Sequence, residues 1–273
     1  MVISYFKKKR KFNKICKDIK SIKIQGARNI AKAALNAYYL IPKEKSKRKL
    51  LKIRPTEPMM EKVLNLTQTL SKKEILSHFK EAQNQINKNV LKLIKSGDVI
   101  FTHCHSTNVV NSLVFAKINK KKFEVYNTET RPLYQGRKTS RELARAKIKV
   151  TEFVDSAVGI ALSKEQGTKK VSKVFLGADA ILKEGIINKV GSEVIVRIAR
   201  EEKIPVYIIA DSWKFTKHSP NLEKRNLNEI WDRAPKNIKI VNPAFEFVPK
   251  VFINKVITEF GCLGYNDFLK KVT

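Results

Sequence analysis

Cys104 stands in the run Gly97 to Thr107, GDVIFTHCHST, where a short apolar strand gives way to a helix. Asp98 to Thr102 reads as the strand, and Ser106 or Thr107 can cap a helix whose apolar residues fall at Val109, Val110, Leu113 and Val114. Ligands of open α/β sheets sit outside the carboxyl ends of the strands, where a helix N-terminus stabilises a thiolate or a bound phosphate. A second candidate is Asp179, which closes the run KVFLGAD after two small residues, Gly177 and Ala178, that permit close backbone approach. A carboxyl group at the end of a buried strand is costly unless it is paired, hydrogen-bonded or protonated. Taken singly, each has an ordinary alternative: Cys104 as a small core residue, Asp179 as the cap of a turn.

The other strand ends supply His103 and His105, Glu129 and Arg131, Asp155, Asn188 and Lys189, and Asp211 and Lys214. His103 and His105 share a strand face, yet only His78 and His218 remain as further imidazoles, so no zinc set is expected. Adjacent strand residues point to opposite faces, which argues against His103 as a base for Cys104. Glu129 and Arg131 are expected to pair with each other and hold the loop QGRK.

Residues 1 to about 95 read as helical. Apolar residues recur at helical spacing after Gly26 in IKIQGARNIAKAALNAYYL and again through Ile75, Phe79, Ala82, Ile86, Val90 and Leu93, with Ser71 and Glu74 as a capping box. From Asp98 the pattern alternates. Apolar β-rich runs at Val99–Thr102, Phe123–Tyr126, Ile148–Val154, Val174–Leu176 and Val206–Ile209 are mostly followed by helical stretches. The expected fold class is therefore α/β: an N-terminal helical domain over residues 1–96, then a Rossmann-like parallel sheet over residues 97–273 with helices on both faces. The last helix is expected from about Lys250 to Phe260, ended by Gly261.

With 42% hydrophobic residues, the 273-residue chain can build a full core. No apolar run is long enough for a membrane span, and MVISYFKKKRKF lacks a signal-peptide core, so a cytoplasmic protein is expected. Cys16, Cys104 and Cys262 lie far apart, without metal or disulfide spacing. No G-x-G-x-x-G or Walker loop is present. The net charge of +31 is uneven, because residues 1–54 hold 18 Lys or Arg against only Asp18 and Glu44. Contact with RNA or a ribonucleoprotein is one reading, and a lysine-rich solvated surface the other.

The segments IKIQGARNIAKAA, THCHS, ETRPLYQGRKTSREL, GADAI and INKVGS together resemble the initiation factor 2B alpha/beta/delta family, over about Ile19 to Phe260. The family includes archaeal ribose 1,5-bisphosphate isomerases and methylthioribose-1-phosphate isomerases. The resemblance implies that Cys104 and Asp179 are the catalytic pair. It further implies that Gln25, Gly26, Ala27, Arg28, Arg54, Asn188, Lys189 and Lys214 contact a sugar phosphate. Asp179 would protonate the ring oxygen with a pKa raised by burial, and Cys104 would act as a thiolate with a pKa lowered by its helix and nearby cations. No metal or organic cofactor is implied, and a homo-oligomer, dimer or hexamer, is expected. One departure is visible: the isomerases usually carry Arg at the position of Gln25. The family's other branch implies a non-catalytic subunit that binds initiation factor 2 and senses a sugar phosphate or nucleotide.

Overall fold

The computed structural model describes residues 2–55, 57–164, 166–220 and 225–273. Five helices come first: α1 (Val2–Lys20), α2 (Ala27–Leu40), α3 (Glu44–Ile53), α4 (Pro58–Leu66) and α5 (Lys72–Leu93). Their boundaries follow from local chemistry. Gly26, at φ 83°, turns the chain into α2 in a conformation that favours glycine. Pro58 occupies the first turn of α4, where a missing N–H costs nothing. Ser71 and Glu74 form the reciprocal capping box of α5, with Ser71 N–H donating to Glu74 Oε2 at 2.7 Å and Glu74 N–H to Ser71 Oγ at 3.3 Å. One apolar cluster, including Phe12, Ile19, Ile30, Leu50, Met60 and Leu64, joins α1 to α4. A second joins α2 and α4 to Ile75 and Phe79 of α5, with Trp213 from the sheet region packed against it.

The sheet region begins with β1 (Asp98–His103) and α6 (Thr107–Ile118), then β2 (Phe123–Thr128), α7 (Gln135–Arg145), β3 (Lys149–Phe153) and α8 (Val158–Leu162). It continues through β4 (Lys173–Leu176), the short β5 (Ala180–Ile181), β6 (Gly185–Lys189), α9 (Ser192–Glu201) and β7 (Val206–Ile209). The chain ends with β8 (Phe245–Pro249), β9 (Lys255–Thr258), β10 (Gly261–Leu263) and α10 (Tyr265–Val272). Seven strands form one sheet in the order β10-β9-β7-β4-β1-β2-β3, all parallel except β10. Along β1, Val99 and Phe101 enter one core while Ile100 enters the other. The same alternation holds in β4, with Val174 and Leu176 opposed to Phe175. Helices therefore cover both faces, as a doubly wound sheet requires. Residues Ile86, Val90 and Ile94 of the α5 segment join the core that holds Ile100, so this one segment ties the helices to the sheet.

The strand order reverses between β1 and β4, which places the crevice of the sheet beside their carboxyl ends. Cys104 follows β1 and Asp179 follows β4.

Two features differ from the sequence expectation. The stretch Lys250 to Phe260 is not a helix: after a single 3-10 turn at Lys250–Phe252, β9 runs parallel to β7 and is fully buried at Val256 and Ile257. The β-branched run Val256-Ile257-Thr258 suits a central strand. Asn254 Oδ1 fixes its start by accepting from Val206 N–H at 2.7 Å. A short apolar run carries no period that separates a buried strand from a helix. The second feature is a three-stranded antiparallel sheet, β5-β6-β8, which carries Asn188 and Lys189 at the end of β6. Among the described residues no helix is long and apolar enough to cross a membrane.

Candidate active site

A cavity of about 130 Å³ opens at the carboxyl ends of β1 and β4, beneath the N-terminus of α2. It brings together Gln25, Gly26, Ala27, Arg28, Arg54, Cys104, Asp179, Asn188, Lys189 and Lys214, the full set named from the sequence. The helices contribute Gln25 to Arg28 and Arg54; the sheet contributes the rest.

Cys104 lies one residue past β1 at φ 66°, a left-handed conformation held from both sides. Its N–H donates to Thr130 Oγ1 at 3.0 Å, and its carbonyl accepts from Thr139 Oγ1 at 2.7 Å. Such strain in a non-glycine residue persists only where its surroundings over-determine it. The cap of α6 is Ser106, whose Oγ accepts from Val109 N–H, so the thiol sits just outside the first turn of the helix. This corrects the expected direction of its ionisation. Burial is the larger influence and pushes the Cys104 thiol up to about 12, while the His105 N–H and the ammonium of Lys189 pull it down less strongly. Burial lowers Lys189 in turn, and the neighbouring thiol and carboxylates oppose that shift.

Asp179 is half-buried, and its N–H donates to Ile187 O at 2.8 Å, which fixes the turn into β5. Gly177, two residues earlier, is required by close approach: a Cβ there would meet Ser106 Oγ at 2.6 Å and Ser106 Cβ at 2.7 Å. The GAD run and the Cys104 elbow thus touch through Ser106. Lys214 is buried and donates its ammonium to Ala178 O. Arg28 is fixed by donating to Phe79 O at 2.8 Å and Gln83 Oε1 at 3.3 Å. Arg54 lies 3.5 Å from Glu57, both largely buried. Gln25 is exposed at the cavity rim, in the same cavity as the guanidinium groups of Arg28, Arg54 and Arg225.

Of the remaining candidates, His103 and His105 also line the cavity, and the others hold loops in place. His103 is buried, and its Nε2 faces Val190 O at 2.9 Å; since a carbonyl can only accept, Nε2 carries the proton and Nδ1 accepts from Thr128 Oγ1. Burial holds this imidazole down at about 4. His105 is likewise lowered to about 4 by burial and by Lys138, with Nδ1 3.0 Å from Thr139 Oγ1. Asp155 accepts from the N–H groups of Thr130 and Arg131 at 2.8 and 2.6 Å and so shapes the ETRP loop. Glu129 does not pair with Arg131: its partner is Arg137 at 2.6 Å, while Arg131 donates to the Tyr134 hydroxyl. Asp211 caps its own turn through Trp213 N–H at 3.0 Å and contacts His78 Nε2 at 3.1 Å. Together with Glu259, these two residues are the one group of possible metal ligands among the described residues, with ligand atoms within 4.8 Å of one another. Each already has a protein partner.

Sequence reasoning passed over several residues of the cavity wall. Gln135, at the start of α7, places a buried Oε1 in the wall with no hydrogen-bond partner, an acceptor suited to a sugar hydroxyl. It stands inside the segment ETRPLYQG, so the signal was present. Ser106, Thr107 and Asn108 bring the first turn of α6 to the cavity, as the strand-to-helix elbow implied. Arg225, paired with Glu229 at 2.6 Å, reaches the wall from the long connection between β7 and β8, where no periodicity marks it.

Comparison with known proteins settles the relationship. The model of the initiation factor 2 subunit family matches residues 20–264. The chain belongs to that family. Ribose 1,5-bisphosphate isomerase of Pyrococcus furiosus is 31% identical across 93% of this chain and 90% of its own. The enzyme of the same name from Methanocaldococcus jannaschii is 33% identical across 90% and 89%. Among solved structures, the translation initiation factor eIF-2B of Pyrococcus horikoshii OT3 superposes with a TM-score of 0.79 at 27% identity, covering 93% of this chain and 96% of that one.

Proposed function

We propose that the protein is an aldose–ketose isomerase that converts ribose 1,5-bisphosphate to ribulose 1,5-bisphosphate. One observation carries the reading: Cys104 and Asp179 line a single cavity together with Arg28, Arg54, Lys189 and Lys214. Four cations in one cavity suit a substrate that carries two phosphates. The names of the relatives above support the same substrate class.

A sugar phosphorylated on its anomeric oxygen cannot open by losing a hydroxyl proton, so opening needs acid at the ring oxygen. In the proposed cycle Asp179 gives its proton to the ring oxygen, and the C1 to ring-oxygen bond breaks. Cys104, once its thiol proton has passed to solvent before ring opening, takes the proton from carbon 2 as a thiolate and returns it to carbon 1, ending again as the thiolate. Asp179 recovers a proton from the carbon-2 hydroxyl as the ketone forms, so both groups end as they began. Burial disfavours the thiolate, and Lys189 is the group that offsets its cost during the cycle. Gln135 holds a hydroxyl of the substrate. The helices of residues 1–96 form one unit and residues 97–273 the other, joined through the second half of α5, with the cavity between them keeping water from the enol, whose carbon-1 oxygen still bears phosphate. The protein acts as a homo-oligomer in the cytoplasm.

The other reading, a non-catalytic subunit that binds initiation factor 2 or RNA, draws on Gln25, the basic surface and the name of the Pyrococcus horikoshii structure, and is less well supported. The deciding assay supplies ribose 1,5-bisphosphate, ribose 1-phosphate and 5-methylthioribose 1-phosphate to the purified protein and measures ketose. Preferred turnover of the bisphosphate is expected; turnover of none of the three overturns the reading.

A further inference from the structure

Arg28 and Lys214 both line the cavity, one carried by helix α2 and the other by the turn after β7. A single run of contacts joins them. Arg28 donates to the carbonyl of Phe79, and its guanidinium lies 5.6 Å from the centre of the Phe79 ring. Phe79 meets the edge of Trp213 with ring centres 5.6 Å apart. His78, the residue before Phe79, stacks flat on Trp213 at 3.5 Å with only 6° between the rings. Its Nε2 faces Asp211 Oδ1, the same oxygen that accepts Trp213 N–H and so fixes the 3-10 turn Ser212–Lys214. From the other side of that turn, Glu259 accepts from Ser212 through both carboxylate oxygens.

Lys214 follows Trp213 directly. Both side chains that hold Trp213 in place, His78 and Phe79, belong to α5, the helix whose other half is bonded into the sheet core. An indole clamped between a helix and a turn transmits the position of one to the other.

We infer that His78 and Trp213 are positioning residues: their stack fixes the separation of the Arg28 and Lys214 anion subsites, and so makes the cavity select a substrate with two phosphates at one set spacing. The inference rests on the proposed sugar-bisphosphate reading for the identity of the ligand, but binding alone tests it. Neither side chain lines the cavity, so a loss of selectivity on replacing them acts through Arg28 and Lys214.

The experiment compares binding of ribulose 1,5-bisphosphate and ribose 5-phosphate by calorimetry in the full chain and in His78→Ala, Trp213→Ala and Trp213→Phe. Turnover is recorded alongside. The wild type is expected to prefer the bisphosphate. In Trp213→Ala and His78→Ala that preference falls about tenfold or more, with monophosphate affinity changed less than about threefold, and Trp213→Phe restores most of it. KM for the bisphosphate rises while kcat changes less. If an alanine variant does not fold, the other alanine variant and Trp213→Phe decide. A folded alanine variant that keeps the full preference, a wild type with no preference, or equal loss of both ligands overturns the inference. Bisphosphate selectivity without turnover in the wild type would instead sink the isomerase reading and leave the clamp standing.

Discussion

Burial pushes the Cys104 thiol up to about 12, outweighing the His105 N–H and the Lys189 ammonium. Its alkylation by iodoacetamide, followed by mass mapping, is therefore expected to be at least about 10²-fold slower at pH 8 than that of free cysteine. The rate should climb with pH and show no plateau below about 10, since the folded value lies above the ordinary one. A plateau near pH 7 would mean that the helix N-terminus wins after all. Cys104→Ser and Asp179→Asn should each lower kcat by about 10²–10⁴ or more, with circular dichroism unchanged. The sequence made both residues legible as candidates, because each ends an apolar strand. It did not make the direction of the thiol's shift legible, since that depends on where α6 starts: Ser106 takes the cap, leaving Cys104 beyond its first turn.

At the scale of elements, the contact between Gly177 and Ser106 couples the loop after β4 to the start of α6. Gly177→Ala places a Cβ within 2.7 Å of Ser106 and is expected to cost about 1–3 kcal/mol in denaturant titration. Adding Ser106→Gly to it should recover part of the loss, with only a few tenths of a kcal/mol from the weaker cap. An unchanged midpoint in Gly177→Ala would show that the two segments can part. Strands β1, β2, β3, β4 and β7 were legible because each is a bounded β-rich run, and α2 and α5 because their apolar residues keep a helical period. β9 was not legible, since Phe252, Val256, Ile257 and Phe260 fit a helix as well as a buried strand. Its place beside β7 comes from long-range packing. The hairpin β5-β6 escaped notice because two residues, Ala180 and Ile181, form one whole strand.

For the whole molecule, positive charge gathers at a second place besides the candidate site. Lys20, Lys45, Arg48, Lys49 and Lys52 line a groove on α1 and α3, outside the active-site cavity. Replacing Lys45, Arg48 and Lys52 by Glu should flatten the salt dependence of polyanion binding by about two to three logarithmic units per decade, measured on heparin or a short RNA, with turnover unchanged. No flattening would mean that the excess charge is spread evenly in its effect. The switch point of the sheet was legible in outline from the alternating pattern, and the family likeness put Cys104 and Asp179 near it. The likeness also put Arg28 and Arg54 there, whereas Gln135 and Arg225 of the same wall emerge only from the folded chain. The most direct test of the proposed chemistry follows α-ribose 1,5-bisphosphate by phosphorus NMR with wild type, Cys104→Ser and Asp179→Asn. Ribulose 1,5-bisphosphate should appear with the wild type and stay at background with both variants; no ketose from the wild type, or equal ketose from Cys104→Ser, would contradict it.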